Sequence, residues 1–347
     1  MYVSEKLELF NDEEQEQSNE MFEHHHIVVD KGQTPLRIDK FLSIKLSNVS
    51  RNKIQISAGA GCIIVNGKPV KSNYKVKGDD DISIVLPYPI RETEIIPEEI
   101  PLNIVYEDND VIVIDKQANL VVHPGHGNYT GTLLNGLLYH FEKNNEKNVY
   151  PYLVHRIDKD TTGLIVLAKN EPAQSFLAKQ FFDHSIDRKY LALVWGNIEN
   201  ESGTITGYIG RSKSDRKIRQ VYTNGDYGKH AVTHYKIVER FMYVTLVECQ
   251  LETGRTHQIR AHFKHIRHPL FNDATYGGDR ILKGTTFSKY KLFIKNCFKI
   301  IERQTLHAYK LGFVHPATKK IMSLTSELPQ DMKKVIEKWR NYSEIKK

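Results

Sequence analysis

Residues 155–169 constrain this chain more than any other stretch of its sequence. They read HRIDKDTTGLIVLAK, a short polar loop that runs directly into an apolar strand. A solvated turn does not need two basic residues, two aspartates and two threonines between apolar runs, whereas a strand that presents a reactive acid at its end does. We therefore expect Asp158 to lie at the edge of a sheet, as the reactive group of a site.

The composition is that of a globular protein with a large core and at least one smaller module. Of the 347 residues, 40% are hydrophobic and 26% are charged. No apolar run approaches the ~18–20 residues that a membrane helix requires, and the N-terminus does not resemble a secretory signal. The three cysteines are too widely spaced for a disulfide framework or a zinc site. The sequence therefore predicts a cytoplasmic protein with no membrane segment.

Charge is distributed unevenly along the chain. Residues 1–33 hold nine acidic residues against two lysines, a net charge of −7. Because the net charge of the whole chain is +7, residues 34–347 carry +14. A basic body predicts a polyanionic partner, and the acidic leader of low hydrophobicity is expected to be disordered over residues 1–33. The three histidines at 24–26 lie in this leader without cysteine partners, and we do not expect them to bind metal.

Residues 34–86 have the pattern of a small domain with two short basic helices. Apolar residues recur at helical spacing over 36–46, and Ser50 is a suitable N-cap for a second helix. A strand at 62–65 followed by Asn66-Gly67 indicates a β-hairpin. This order resembles the S4 RNA-binding domain; the alternative is a generic α+β domain with solvated lysines. The resemblance implies five RNA-binding side chains: Arg37, Lys40, Arg51, Lys53 and Lys68.

A larger domain is predicted over 100–328, after a proline-containing linker at 87–99. Its β-branched runs are apolar on both faces, as in the central strands of a covered sheet. Strands are predicted at 111–115, 163–168, 190–194, 231–238 and 243–251, and helices at 171–182 and 256–265. The expected fold class is α+β, with a mixed, mostly antiparallel sheet and few flanking helices. A basic tail or helix is expected at 329–347.

The loop at 155–169 resembles the catalytic motif of the RluA-type pseudouridine synthases, in which a His-Arg-Leu-Asp run precedes Thr-Ser-Gly-Leu. Ile157 stands in place of the leucine and Thr162 in place of the serine. Asp158 falls on the position of the nucleophilic aspartate of that family. The resemblance implies a uridine isomerase that uses no cofactor, metal or redox partner. Whether Asp158 attacks C1′ or C6, or acts through a glycal, stays open.

A second segment, 251–262, supplies the cation that a buried ionised carboxylate needs. It resembles the Thr-Gly-Arg-x-His-Gln-Ile-Arg motif of the same family, and Arg260 takes the position that pairs with the catalytic aspartate. Thr256 is expected to cap the helix that follows. Three further side chains of this segment are expected to contact RNA: Arg255, His257 and Gln258.

Tyr190 and Arg156 are expected to handle the target base. Residues 188–194 resemble another signature of the family, in which Tyr190 takes the position whose ring stacks on uracil, an interaction of about 1–3 kcal/mol. Arg156 is expected to fill the space left by the extruded base, with a phosphate contact or a salt bridge as the alternative. His155 is also expected to contact RNA. A basic run on a predicted loop is expected to bind the RNA backbone: Arg211, Lys213, Arg216, Lys217 and Arg219.

The resemblance extends from residue 34 to about residue 325 and implies an RluD-like synthase that acts, as a monomer, on large-subunit (23S) ribosomal RNA. Transfer RNA is the alternative substrate, and a non-catalytic S4-type RNA-binding or ribosome-assembly protein is the alternative function. A metal hydrolase is disfavoured because His257 and His262 are five residues apart, a spacing poorly suited to chelation on one helical face. The acidic leader, the insertion at 142–148 and the segment 289–299 have no functional interpretation.

Overall fold

The polypeptide divides into two units, residues 1–93 and 94–347, in the computed structural model. The boundary falls within the segment 87–99. The structure describes residues 22–46, 49, 51–59, 61–86, 95–125, 128–146, 149–215 and 218–344. No helix within these ranges is both long and apolar enough to cross a membrane.

The first unit packs two helices against a small antiparallel sheet. Its elements are β1 (Phe22–Val28), β2 (Leu36–Arg37), α1 (Ile38–Lys45), α2 (Arg51–Gly59), β3 (Ile63–Val65), β4 (Lys68–Pro69), β5 (Lys75–Val76) and β6 (Asp81–Leu86). The main sheet has the order β1-β6-β3-β4, and β2 pairs with β5. Asn66 and Gly67 have φ angles of 50° and 75°, so the predicted Asn-Gly turn joins β3 to β4 with both central residues at positive φ.

Strand β1 corrects the predicted extent of the disordered leader. It pairs antiparallel with β6, and Ile27 and Val29 contribute to the core of this unit, whereas Val28 between them is exposed. The leader prediction is therefore wrong for residues 22–28, because β-branched residues follow the acidic stretch and find an unpaired strand edge. His26 lies on this strand, with Nε2 2.5 Å from a carboxylate oxygen of Asp81. Residues 1–21 lie outside the described residues.

A buried carboxylate ties α1 to α2. Asp39 accepts hydrogen bonds from Arg37, Arg51 and Gln55. Burial opposes its charge, but these three donors outweigh burial and hold the pKa of Asp39 well below its usual range. The two arginines predicted to bind RNA are therefore partly neutralised within the unit, although their side chains remain 43% and 44% exposed. The side chains of Lys40 and Lys68 are exposed, and that of Lys53 lies outside the described residues.

The second unit is organised around a sheet of eleven strands within its described residues. Its elements are β7 (Ile104–Glu107), β8 (Val111–Lys116), α3 (Leu133–Lys143), β9 (Tyr152–Leu153), β10 (Thr162–Ala168), α4 (Glu171–Phe182), β11 (Asp187–Trp195), β12 (Ser202–Arg211), β13 (Arg219–Tyr222), β14 (Lys229–Phe241), β15 (Val244–Leu251), α5 (Gln258–His265), a 3₁₀ turn (Ala274–Tyr276), α6 (Ser288–Ile300), β16 (Leu306–Val314), β17 (Ile321–Thr325) and α7 (Gln330–Glu344). The main path is β13-β12-β14-β15-β11-β16-β10-β8-β7, with β17 on β16 and β9 on β10. The predicted mixed, mostly antiparallel sheet is confirmed.

Helices α6 and α7 cover one face of this sheet. Tyr290 of α6 and Trp339 of α7 are buried against Trp195 of β11 and Phe271. The segment 289–299, which had no functional interpretation, is thus a core helix whose apolar residues recur every three or four positions.

The order of strands in the sheet places segments that are distant in the sequence side by side. Strand β16 lies between β10, to which it is parallel, and β11, to which it is antiparallel. Ala308 pairs with Gly163 on one side and with Tyr190 on the other. The loop that carries Asp158 precedes Gly163 by a few residues, so this register sets the loop beside Tyr190.

The parallel pairing of β10 with β16 requires a glycine at position 163. The φ angle of Gly163 is +108°, and a Cβ atom built there would lie 2.2 Å from the carbonyl oxygen of Ala308. Only glycine tolerates both the backbone conformation and the contact.

Gly163→Ala is expected to lower the free energy of unfolding of the second unit by more than about 2 kcal/mol, because the methyl group must push β16 away. Gly131→Ala is the matched control: Gly131 also has positive φ, +68°, but nothing lies within 4 Å of its built Cβ, so its cost should be about 1 kcal/mol. Urea unfolding of the full chain measures both. Equal losses in the two variants would contradict a steric role for position 163.

Candidate active site

A cleft of about 690 Å³ opens where the loop before β10 meets β11 and the start of α5. Its position at the strand ends agrees with the expected placement of Asp158. Eight of the predicted site residues line it: His155, Arg156, Asp158, Tyr190, Arg255, His257, Gln258 and Arg260.

Arg260 forms ion pairs with two carboxylates, that of Asp158 in the cleft and that of Asp273 deeper in the protein. Its Nη1 donates to Asp158 Oδ2 at 2.9 Å, while Nε and Nη2 donate to the two carboxylate oxygens of Asp273 at 2.7 and 2.9 Å. Asp273 is buried, and the side chain of Asp158 is 21% exposed. Burial opposes the charge of Arg260, but the two carboxylates prevail and raise its pKa. The predicted pairing of Arg260 with Asp158 is thus present in the geometry, and Asp273 fixes the guanidinium from behind.

Two buried basic side chains hold the backbone of the Asp158 loop. Lys116 Nζ donates to the carbonyl of Lys159 at 2.8 Å and to two further carbonyls; burial lowers the pKa of Lys116 to about 7. Arg303 Nη1 donates to the carbonyl of Asp160 at 3.1 Å, while its Nε and Nη2 bind Asp331 of α7. The carbonyls of the two residues that follow Asp158 are therefore fixed by buried basic side chains, which restricts where Asp158 can point.

His257, and not Thr256, occupies the N-cap position of α5, and its backbone is left-handed with φ 56°. The predicted cap is wrong because the chain turns one residue later than the pattern of residue types indicates. The ring of His257 lies 3.1 Å through Nδ1 from the hydroxyl of Tyr276, and its Nε2 lies 4.0 Å from Asp158 Oδ2. Burial lowers the pKa of His257, so the ring is mainly neutral at pH 7.

Gln258, predicted to contact RNA, has a structural role instead. Its amide donates to the carbonyl of Val232 and the hydroxyl of Thr233, and its oxygen accepts from the hydroxyl of Thr253 and the backbone amide of Arg255. These four bonds use both amide hydrogens and both lone pairs of the oxygen. The side chain therefore fastens the start of α5 to β14.

His155 is likewise engaged inside the protein. Its Nε2 accepts a hydrogen bond from the backbone amide of Val166 at 3.1 Å, and its ring stacks on Phe181 at a centroid distance of 4.6 Å. Burial, assisted by the nearby charge of Arg188, lowers the pKa of His155 to about 3. The ring is neutral at physiological pH and supports the cleft wall, in place of the predicted RNA contact.

Tyr190 forms part of the wall of the cleft. It is 6% exposed, and its hydroxyl has no hydrogen-bond partner in the part of the chain that the structure describes. Burial raises its pKa, with Asp158 acting in the same direction and Arg188 opposing. Tyr190 is therefore a neutral phenol near pH 7, with its hydroxyl available to a ligand.

Arg156 and Arg255 lie at the mouth of the cleft. Arg156 is exposed, and its Nη2 donates to the hydroxyl of Thr256 at 3.2 Å. Arg255 is tied through Nε to the carbonyl of His230 at 3.0 Å. Among the described residues, Arg156 is held by a single neutral hydrogen bond, which it can exchange for one to another partner.

The described residues of the predicted basic run, Arg211, Lys213 and Arg219, do not line this cleft. Arg211 ends β12, Lys213 follows it, and both are exposed. Arg219 opens β13 and lines a second groove, of about 620 Å³, beside α5 together with Lys264 and Arg280. Arg216 and Lys217 lie outside the described residues.

A potential metal-binding group lies elsewhere. Ligand atoms of Asp108, Asp110 and His315 lie within 4.8 Å of one another, the one such group of three among the described residues. Asp108 already accepts hydrogen bonds from the backbone amides of Asp110 and Val111 and contacts His315 Nε2 at 2.7 Å. None of the three lines the cleft, so the site is built without them.

Comparison with known proteins identifies the class of enzyme. Residues 110–265 match the RNA pseudouridylate synthase family, and residues 36–82 match the S4 domain. An uncharacterised RNA pseudouridine synthase of Chlorobaculum parvum is 46% identical over 317 residues, 90% of this chain and 96% of that protein. The chain belongs to the RNA pseudouridine synthase family.

Further relatives agree with this assignment. The ribosomal large subunit pseudouridine synthase D of Zymomonas mobilis is 39% identical over 301 residues, 85% of this chain and 91% of that protein. The solved structure of human RNA pseudouridylate synthase domain containing 4 shares the fold, with a TM-score of 0.53 at 24% identity over 69% of this chain and 93% of that one. The enzyme class predicted from the sequence, an RNA-modifying isomerase, is confirmed.

Two side chains that were not among the predicted site residues lie at the site, Asp273 and Arg188. No local signal in the sequence shows that Asp273 turns toward Arg260. Arg188 lines the cleft, and the alternation of strand residues could have placed it on the face of Tyr190.

Asp273→Asn is expected to lower kcat by about a hundredfold, because Arg260 loses its bidentate anchor and Asp158 its fixed partner. The KM for RNA should change little, since Asp273 is buried and cannot touch RNA. Asp279→Asn, an exposed change of the same kind six residues later, is the control. Steady-state kinetics and a melting curve measure the effects. A folded Asp273→Asn enzyme with the kcat of the control would show that Arg260 needs no second carboxylate.

Proposed function

We propose that this synthase isomerises uridines of large-subunit ribosomal RNA, with Asp158 as the nucleophile, Arg260 as its ionic partner and Tyr190 as the ring that stacks on uracil. The observation that carries the proposal is the 2.9 Å contact between Arg260 Nη1 and Asp158 Oδ2 inside the cleft that Tyr190 lines. Since all three side chains belong to one chain, we also propose that the enzyme acts as a monomer.

The reaction requires few groups from the protein. The N1–C1′ bond of the uridine breaks, the base turns, and a C5–C1′ bond forms; C5 loses a proton and N1 gains one. The carboxylate of Asp158, held in place by Arg260, suits the role of nucleophile. Because the ring of His257 is neutral, Arg260 is the nearest charged partner of this carboxylate. The hydroxyl of Tyr190, free of internal partners among the described residues, can relay the proton that leaves C5, accepting it while its own proton passes to water.

Extrusion of the uridine is assigned to Arg156. Chemistry on a base inside a helix requires that the nucleotide leave the stack, at a cost of a few kcal/mol. Arg156 is exposed at the cleft mouth and is held only by Thr256 among the described residues, so its planar guanidinium can enter the vacated space. Its position two residues before Asp158 keeps it close to the reacting base.

Asp158→Asn is expected to reduce isomerisation by more than about a thousandfold, because an amide is not a nucleophile of comparable strength. RNA affinity should stay near that of the wild type, since the amide has the same shape. The measurement is the release of tritium from RNA labelled at C5 of uracil, beside a filter-binding assay. Asp160→Asn is the control, a carboxylate two residues away on the same loop that should retain most activity. Comparable rates in both variants would remove Asp158 from the mechanism and favour a non-catalytic RNA-binding role.

The ribosomal target rests on relatives and on the first unit. Relatives described as ribosomal large subunit pseudouridine synthase D match most of this chain at about 40% identity, and the S4 domain supplies exposed lysines. Mapping of pseudouridines in cells that lack the protein tests the target. Loss of specific pseudouridines from large-subunit RNA is the expected result. Loss only from transfer RNA would contradict the ribosomal target and indicate transfer RNA as the substrate.

The double variant Lys40→Gln, Lys68→Gln is expected to bind long ribosomal RNA more weakly. The slope of log K against log salt should become shallower by about 0.7–0.9 for each phosphate that the protein no longer neutralises. The kcat on a minimal stem-loop should stay unchanged, because both lysines belong to the first unit. The control is Lys291→Gln with Lys295→Gln, two exposed lysines of α6. Identical slopes in the two double variants would show that Lys40 and Lys68 do not contact the RNA.

A further inference from the structure

Arg188 is a buried cation that has no counter-ion among the residues that the structure describes. Three arginines are buried among the described residues: Arg188, Arg260 and Arg303. Arg260 binds two carboxylates, and Arg303 binds Asp331 and three carbonyls. Arg188 is 7% exposed, pairs with no acid within the described part of the chain, and has a buried Nε without a hydrogen-bond partner there.

A buried charge without a counter-ion destabilises a fold unless another interaction compensates for it. A guanidinium stays protonated in proteins, so its burial removes hydration that no internal acid replaces. Burial indeed lowers the pKa of Arg188. A side chain of this kind is expected where a ligand brings the missing negative charge.

The surroundings keep the guanidinium accessible from the cleft. A Cβ atom on Gly254 would lie 2.7 Å from Arg188 Nη1, so the absence of a side chain at 254 leaves room for it. The ring of Phe181 covers the other side, with its centroid 5.2 Å from Arg188 Cζ. Arg188 and Tyr190 are two residues apart on β11, and both line the cleft.

We propose that Arg188 binds a phosphodiester group of the RNA next to the target uridine. This inference rests on the proposed placement of the uracil on Tyr190. Side chains at i and i+2 of a strand stand on the same face roughly 7 Å apart, so a base over Tyr190 places the sugar–phosphate backbone near Arg188. Uracil is neutral, whereas each nucleotide carries one phosphate, and the planar guanidinium matches two phosphate oxygens at once.

The first test compares Arg188→Met with Lys189→Met. Lys189 is the next residue of β11, lies on the opposite face and already pairs with Glu248 at 2.9 Å, so the control removes the same charge outside the cleft. Arg188→Met should melt at or above the wild-type temperature, because it removes an uncompensated buried charge. It should bind a substrate stem-loop about ten- to hundredfold more weakly, with a salt slope shallower by about 0.7. Arg188→Lys should keep the slope and lose less affinity.

The second test replaces one phosphate at a time, on either side of the target uridine, with an uncharged methylphosphonate. At one position the wild-type enzyme should lose as much affinity as Arg188→Met loses on unmodified RNA, and Arg188→Met should be indifferent to that replacement. Wild-type affinity and slope in Arg188→Met would overturn the proposal. A methylphosphonate penalty of the same size in both enzymes would also overturn it, since Arg188 would then contact another group. Either failure leaves wild-type isomerisation intact, whereas failure of the proposed function appears as turnover by Asp158→Asn.

Discussion

The pairing of β16 with both β10 and β11 is the constraint on which the site depends. Ala308 stands between Gly163 and Tyr190, so a C-terminal strand joins two segments that are otherwise separate. Because β10 and β16 are parallel, the chain must return through a long connection before they can pair. The pairing succeeds only because Gly163 has no side chain, and this links a small residue of the motif to the geometry of the entire sheet.

Buried charge is used in this unit mainly to fix the Asp158 loop. Lys116 and Arg303 bind the carbonyls of Lys159 and Asp160, and Arg260 binds the carboxylate of Asp158 itself. Hydrogen bonds that involve a charged donor are shorter and stronger than neutral ones. The loop is thus held by three basic side chains from three parts of the chain, and Asp331 extends this support to α7 through Arg303.

The arginines of the cleft differ in what they can still bind. Arg260 is saturated by two carboxylates and acts within the protein, whereas Arg156 is exposed and weakly held. Arg188 is buried and unpaired among the described residues. Beside the carboxylate of Asp158, the cleft therefore offers a polyanionic ligand one exposed, weakly held guanidinium and one buried guanidinium.

The resemblance of three short motifs to those of a known family was enough to predict the enzyme class, the fold class and three candidate residues, Asp158, Tyr190 and Arg260. The Asn66-Gly67 turn was predictable because its geometry depends on two adjacent residues. Four features emerged only from the folded chain. Gln258 and His155 face inward, His257 is the N-cap of α5, residues 22–28 form a strand, and Asp273 anchors Arg260. Most of these depend on a partner far away in the sequence: a backbone amide at 166, a carbonyl at 232 or an open strand edge at β6. Local spacing cannot reveal a distant hydrogen-bond partner, because that partner is set by the register of the sheet.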